Sequence, residues 1–299
     1  MSKIIVTGGA GFIGSNLVDK LVREGHEVKV IDNQSSDSNE RFYWNDKTEQ
    51  LPIDICDYNA IRPHFDDVEY VFHLAAESRI MPTLENPVLA AQTNVTGTCT
   101  VLQCAKEAGV KRVMYSSTSA AYGLINDPPL TEDMRRDCLN PYSVTKVAGE
   151  DLCKMYTSLF GLETVIFRYF NVYGPREPVR GAYAPVTGIF IRQAYAGDKI
   201  TIVGDGEQRR DFIHVDDIVE ANMRAAVADN VVGEIINVGS GVNHSIKELA
   251  EMVGKPYIHL PPRDGEAKST LADITKLKTL LNLTPINKLE EYINKKILL

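Results

Sequence analysis

The first half of the chain alternates between two hydrophobic periods. Ile4-Ile5-Val6, Glu27 to Ile31, Leu51 to Ile55, Glu69 to Leu74, Arg112 to Ser116 and Thr164 to Arg168 read as short buried strands. Between them, apolar residues recur at helical spacing. They do so at Leu17, Val18, Leu21 and Val22, at Val88, Ala91, Val95, Val101, Leu102 and Ala105, and from about Tyr142 to Phe160 after Pro141. Gly109 supplies the stop for a helix from Pro87 to Ala108. Strands alternating with helices predict an α/β fold, a doubly wound parallel sheet whose ligands lie beyond the carboxyl ends of the strands. The polar stretch after Asp32, with Phe42, Tyr43 and Trp44, reads as a loop or short helix on the rim. Beyond Tyr173-Gly174-Pro175 the alternation weakens, which predicts a second, smaller α/β domain covering the strand ends. The expected division is 1–170, rejoined by about 211–238, and 171–299, with a terminal helix from Pro285 to Leu299.

The junction between the first strand and helix carries the strongest chemical signal. Thr7-Gly8-Gly9-Ala10-Gly11-Phe12-Ile13-Gly14 places glycines where the backbone turns tightly and a pyrophosphate can meet the free amides of a helix start. Asp32 ends the second strand about 20 residues later, where a carboxylate can accept both ribose hydroxyls of an adenosine. The residues after it, Asn33, Gln34, Ser35 and Ser36, include no arginine for a 2′-phosphate, so NAD is expected over NADP. This makes the first domain a Rossmann domain. Ala75-Ala76, at the end of the fourth strand, are small enough for a cofactor to lie close. Tyr142 and Lys146 lie four apart on one helix face, and an ammonium beside a phenol, with the positive nicotinamide ring, favours the phenolate. Thr118, or failing it Ser119, offers a hydroxyl that can share a proton with a sugar or alcohol oxygen.

Composition narrows the class. The 299 residues are 44% hydrophobic and 24% charged with a net charge of −8, which suits a globular protein and argues against a nucleic-acid surface. No run is apolar for long enough to span a bilayer, and a strand beginning at Lys3 leaves no room for a signal peptide. Five cysteines, an odd number without a Cys-x-x-Cys pair, argue for the cytoplasm and against disulfides or zinc. The histidines lack metal-ligand spacing, and His214 reads as a packed strand end, so no metal is expected.

Taken together, these stretches resemble the extended short-chain dehydrogenase/reductases, specifically the nucleotide-sugar epimerase and dehydratase group. The resemblance runs through the glycine loop, Asp32-Asn33, Asp54-Ile55, His73-Leu74-Ala75-Ala76, Asn94-Val95-Thr96-Gly97-Thr98 and Ser116 to Gly123. It continues through Pro141 to Lys146, Arg168 to Pro175 and Arg209 to Asp217. It implies Tyr142 as catalytic base and acid, Lys146 as the residue that holds the nicotinamide ribose and lowers the tyrosine pKa, and Thr118 as the catalytic hydroxyl. Implied cofactor contacts are Gly8, Gly11, Phe12, Ile13, Gly14, Asp32, Asn33, Asp54, Ile55, Leu74, Ala75, Ala76, Asn94, Ser116 and Tyr169, besides Tyr142 and Lys146. Asn171, Arg210 and Arg263 resemble the grip on a substrate diphosphate, although an arginine can also be an ordinary surface charge.

Dehydratases of this group usually place an Asp-Glu pair directly after the catalytic threonine, and UDP-glucuronate decarboxylases typically keep a glutamate there. This chain has Ser119 and Ala120. The resemblance therefore implies a UDP-hexose 4-epimerase working on a UDP-sugar through a 4-keto intermediate, with a uronate epimerase, decarboxylase or keto-sugar reductase as alternatives. An NAD-sensing binding protein is the non-enzyme alternative; relatives of that kind commonly lack the tyrosine and lysine retained here. Thr270 falls where hexose-restricted relatives tend to place a tyrosine beside the sugar's 2-substituent, which implies room for UDP-GlcNAc and UDP-GalNAc. A homodimer is expected through the helix from Pro87 to Ala108 and the one from Tyr142.

Overall fold

The computed structural model describes every residue except 37, 38, 40, 180–183, 263–266, 298 and 299. Strand β1 (Lys3–Thr7) is apolar on both sides because it runs through the middle of the protein. It pairs in parallel with β2 (Glu27–Ile31) on one side and β4 (Tyr70–His73) on the other. Ile4 and Val6 pack into one core with Leu17, Val18 and Leu21 of α1 (Phe12–Arg23), while Ile5 packs into another on the opposite face. β3 (Glu49–Leu51) adds an edge beyond β2, and α2 (Tyr58–Ile61) leads back towards β4. The third strand ends at Leu51 and not, as expected, at Ile55. Pro52 has no N–H for the ladder, so Asp54 lies in the following loop.

After β4 come α3 (Ile80–Glu85) and α4 (Pro87–Ala91), then a π-helical turn over Gln92–Gly97, then α5 (Thr98–Glu107). The helix expected over Pro87 to Ala108 is therefore interrupted by a wider turn at its centre. β5 (Arg112–Thr118) and β6 (Glu163–Tyr169) extend the sheet, separated by α6 (Pro141–Phe160). Sequence dictates both ends of α6. Asn140 and Ser143 exchange hydrogen bonds around Pro141 in a capping box, and Gly161, at φ 71°, takes the left-handed stop.

Short strand β7 (Asn171–Tyr173) leaves the large sheet, followed by α7 (Val186–Ala196), β8 (Ile200–Val203) and β9 (Arg209–His214). α8 (Val215–Val227) and β10 (Ile235–Val238) return, and β10 pairs with β6. β9 pairs with β7 and with β11 (Asn243–Ser245) in a separate three-stranded sheet, so the segment that rejoins the large sheet runs from α8 through β10. The chain finishes with α9 (Ile246–Val253), β12 (Tyr257–Leu260) beside β8, α10 (Thr275–Leu281) and α11 (Leu289–Ile297). The large sheet is seven-stranded and parallel, in the order β10-β6-β5-β4-β1-β2-β3. Its order reverses at β1, so the crevice between the carboxyl ends of β1 and β4 is where a ligand is accommodated. Among the described residues no helix is long and apolar enough to cross a membrane.

Candidate active site

A cavity of about 440 Å³ runs along that edge. At one end lies the glycine loop. Gly8 takes φ +68°, and a Cβ there would stand 2.7 Å from the Ala75 amide nitrogen; one on Gly14 would stand 2.2 Å from the Gly8 carbonyl oxygen. Only glycine lets loop, helix and β4 close to this distance. Gly11, Phe12, Ile13 and Gly14 line the cavity at the start of α1, and no side chain caps that helix. Its first amides and the positive end of its dipole are thus available to an anion.

Asp32 is nearly buried. Its carboxylate accepts hydrogen bonds from the amides of Ala10 (3.0 Å) and Gln34 (2.9 Å), leaving further lone pairs for hydroxyl donors. Asn33, Ile55, Leu74, Ala75, Ala76, Ser116 and Tyr169 also line the cavity. Free helix-start amides, a buried acceptor carboxylate and small residues between them suit the pyrophosphate, ribose and rings of NAD. Phe42, from the rim segment, joins the wall as well.

Two expected cofactor contacts, Asp54 and Asn94, are not among the residues that line the cavity. Asp54 is exposed and engaged by Asn33 (3.0 Å) and the Cys56 amide (2.8 Å). Asn94, in the π turn, is buried and spends its amide on the protein. Its Oδ1 accepts from the Glu77 amide (2.8 Å), and its Nδ2 donates to the Glu77 carbonyl and to Thr145 Oγ1, both at 3.0 Å.

Tyr142 and Lys146 line the other end of the cavity, from the first turns of α6. Burial pushes the Tyr142 phenol up, against a hydrogen bond donated by Thr118 and the positive charge of Arg79, which pull it down. Arg79, a loop residue after β4 that the sequence reading passed over, lines the same cavity. Lys146 is buried, its ammonium lowered to about 8 by loss of water, and it stands 4.5 Å from the centre of the Tyr115 ring. His73, sealed between Thr7 Oγ1 (2.7 Å) and Thr98 Oγ1 (2.9 Å), is lowered to about 3 and stays neutral.

Below this end lies a buried ionic support that the sequence reading also missed. Glu150 accepts from Ser117 Oγ (2.6 Å) and holds the guanidinium of Arg168 through two bonds of 2.9 and 2.8 Å. Glu150 follows Tyr142 and Lys146 at the same spacing of four, so its place on that helix face could have been read.

The remaining expected residues lie around β9. Asn171 lines the cavity and donates to the Asp211 carbonyl (3.0 Å). Arg210, half-buried, donates to the carbonyls of Arg209 (2.9 Å) and Ala267 (2.7 Å). Thr270 does not line this cavity. Its amide donates to the Arg209 carbonyl (3.0 Å) and its carbonyl accepts from Asn243 (3.2 Å), which lays its backbone against β9. Arg263 lies outside the described residues. Asp211, by contrast, is a buried hub, accepting from the amides of Ser240, Gly241 and Ala272.

Residues 4–239 match the model of the NAD dependent epimerase/dehydratase family. The chain belongs to that family. Its cofactor is NAD. The chain is 37% identical to a UDP-glucose 4-epimerase of Mycolicibacterium smegmatis, over 98% of its own length and 96% of the relative's. It is 38% identical to a UDP-N-acetyl-alpha-D-glucosaminuronate decarboxylase of Bacillus cytotoxicus, over 95% and 92%. Among solved structures it superposes with a TM-score of 0.93 on a UDP-N-acetylglucosamine 4-epimerase from Methanobrevibacter ruminantium M1, in complex with UDP-N-acetylmuramic acid. That pair is 33% identical, over 99% of this chain and 97% of the other. The relatives thus share a nucleotide-sugar scaffold and differ in reaction.

Proposed function

We propose that this protein is a cytoplasmic UDP-hexose 4-epimerase that interconverts UDP-glucose with UDP-galactose and accepts the N-acetylated pair. One observation carries the choice of reaction. Among the described residues, Asp32 is the only carboxylate on the cavity wall, and it leaves β2, three strands from the β5 that carries Thr118. At about 4.8 Å per strand that is roughly 14 Å from the hydroxyl end. Elimination of water usually draws on a carboxylic acid and a carboxylate at the sugar; beside Tyr142 the described wall offers hydroxyls and the Lys146 ammonium and no carboxylate. Ser119 and Ala120 follow Thr118 in a half-buried turn and supply no acid.

NAD, when bound, supplies oxidation at carbon 4 and its reversal. Tyr142 takes the proton of the 4-hydroxyl and returns it, Thr118 shares that proton, and Lys146 holds the ribose. The glycine loop, with Asp32, Asn33, Ile55, Leu74, Ala75, Ala76, Ser116 and Tyr169, seats the cofactor. Asn171, Arg210 and Arg263 grip the diphosphate, leaving the sugar free to present its other face. The domain of residues 1–170, rejoined by about 211–238, carries the cofactor and the rest of 171–299 the substrate. Support for N-acetylated sugars comes from the Methanobrevibacter relative. Five free cysteines suit a reducing compartment.

Separate incubations with UDP-glucose, UDP-GlcNAc and UDP-glucuronate test the reading. UDP-galactose and UDP-GalNAc are expected from the first two; release of carbon dioxide from the third without epimerisation of the others would overturn it. Tyr142→Phe is expected to lower kcat by about 10²- to 10⁴-fold with NAD still bound. Undiminished turnover would remove Tyr142 from its role.

A further inference from the structure

We infer that Arg176 clasps the rim segment 41–45 and α1 together at the glycine-loop end of the cavity, and that this clasp sets how slowly NAD leaves. The inference goes beyond the epimerase reading. It rests on NAD as the cofactor and on no particular sugar.

The clasp joins three stretches far apart in the chain. Phe42 of the rim lines the cavity together with Gly11 and Phe12, so the rim forms part of the wall around the glycine loop. The next residue, Tyr43, is fixed to that loop by its amide, which donates to the Ala10 carbonyl at 2.8 Å. Two guanidiniums stand against the Tyr43 ring, Arg41 at 4.5 Å and Arg176 at 5.0 Å from its centre. Both distances are within the reach of a cation–π attraction. Arg176 also pairs with Asp19 of α1 at 2.5 Å, and the other oxygen of that carboxylate accepts from Asn45 of the rim at 2.7 Å. One acid thus ties the rim and the segment after β7 to the same helix.

The backbone of that segment is anchored in the same place. Asn16 of α1 donates to the Pro175 carbonyl at 3.0 Å, and Arg176 takes φ +70°, a conformation that costs an arginine free energy and that its surroundings must hold. The following residue, Glu177, accepts from Thr187 at the start of α7, and Thr187 lines the same cavity. Consecutive residues therefore grip different parts: Arg176 the helix that offers its amides to an anion, Glu177 the helix that opens the smaller domain. Arg176 and Asp19 are each close to a third exposed, so their ion pair alone is modest and the clasp draws its strength from several contacts made at once. Lifting Phe42 away from the glycine loop requires Tyr43 to part from Arg176. These contacts slow release without touching the cofactor.

The experiment loads the full chain with NAD, removes free cofactor and follows release with a coupled dehydrogenase that reduces each NAD set free. Arg176→Ala and Tyr43→Leu are each expected to speed release about tenfold, and Asp19→Asn by less. Arg176→Lys keeps a cation beside Asp19 but not the planar guanidinium, and should fall between the natural chain and Arg176→Ala. Because the two side chains act through one contact, the double variant of Arg176→Ala with Tyr43→Leu should release NAD no more than about twice as fast as either single one. Lys20→Ala breaks an ion pair with Glu24 within α1 and should leave release unchanged. If Arg176→Ala does not fold, Tyr43→Leu and Asp19→Asn carry the test. Release within about twofold of the natural chain in these variants, rates that multiply in the double variant, or equal acceleration in Lys20→Ala overturns the inference. If no UDP-sugar is turned over but release accelerates as stated, the epimerase reading fails and the clasp stands.

Discussion

Glu150 shows how much of this site depends on side chains that never touch a substrate. Its carboxylate and Arg168 form an ion pair at 2.8 Å in which both are essentially inaccessible to water. The geometry compensates a large desolvation cost: Ser117 occupies one more lone pair, and the guanidinium lies 4.8 Å over the Tyr122 ring. Glu150→Ala leaves Arg168 charged without its partner and is expected to cost about 3–5 kcal/mol of stability, read from urea unfolding. A loss below about 1 kcal/mol would mean that the pair is not buried in solution. Tyr142, Lys146 and the glycine loop were readable because spacing and residue type alone define their chemistry. Arg79 was not. Nothing in its local sequence says that a loop residue after β4 lines the same cavity as a phenol on α6, some sixty positions later.

Among the elements, the connection after β7 is tied by a single carboxyl. Glu177 is nearly buried, accepting from Thr187 Oγ1 of α7 at 2.6 Å and from the Tyr292 hydroxyl of α11 at 3.1 Å. Burial raises it to about 7, against these two bonds, the Gly174 backbone and the charge of Lys296. A raised carboxyl pKa means that the folded chain holds a proton the unfolded chain releases. The resulting stabilisation is full below about pH 4.5 and is lost as pH rises through 7. The stability difference between the natural chain and Glu177→Gln should therefore fall by roughly 3 kcal/mol from pH 4.5 to 7.5. Thermal unfolding at several pH values reads it, and a flat difference would show that Glu177 titrates normally. Strand and helix order in the large sheet was legible because each element carries its own period and stops. The π turn and the early end of β3 were not: one depends on how a helix meets the loop it braces, the other on a proline hidden inside an apolar run.

For the whole molecule, apolar side chains stand exposed on neighbouring helices. Val88 on α4 is 76% exposed and Val144 on α6 is 52% exposed, with Leu84 and Leu89 also accessible. α3 and α4 both pack on α6, which places these side chains around one helical surface. A homodimer through that surface is expected, with sedimentation equilibrium giving twice the chain mass and Val88→Glu with Val144→Glu giving the monomer. A monomeric natural chain would refute it. Sequence by itself determined the parallel sheet, the dinucleotide loop, the acid at the end of β2 and the tyrosine and lysine on one helix face. These follow from local rules of period, turn and spacing. Only the tertiary structure decided that Lys146 lies over the Tyr115 ring, that Arg79 lines the same cavity as Tyr142, that Asn94 ties the loop after β4 to α6 and that Thr270 lies against β9. Each of these depends on distances between segments far apart in the chain, which chain folding sets and residue order does not display.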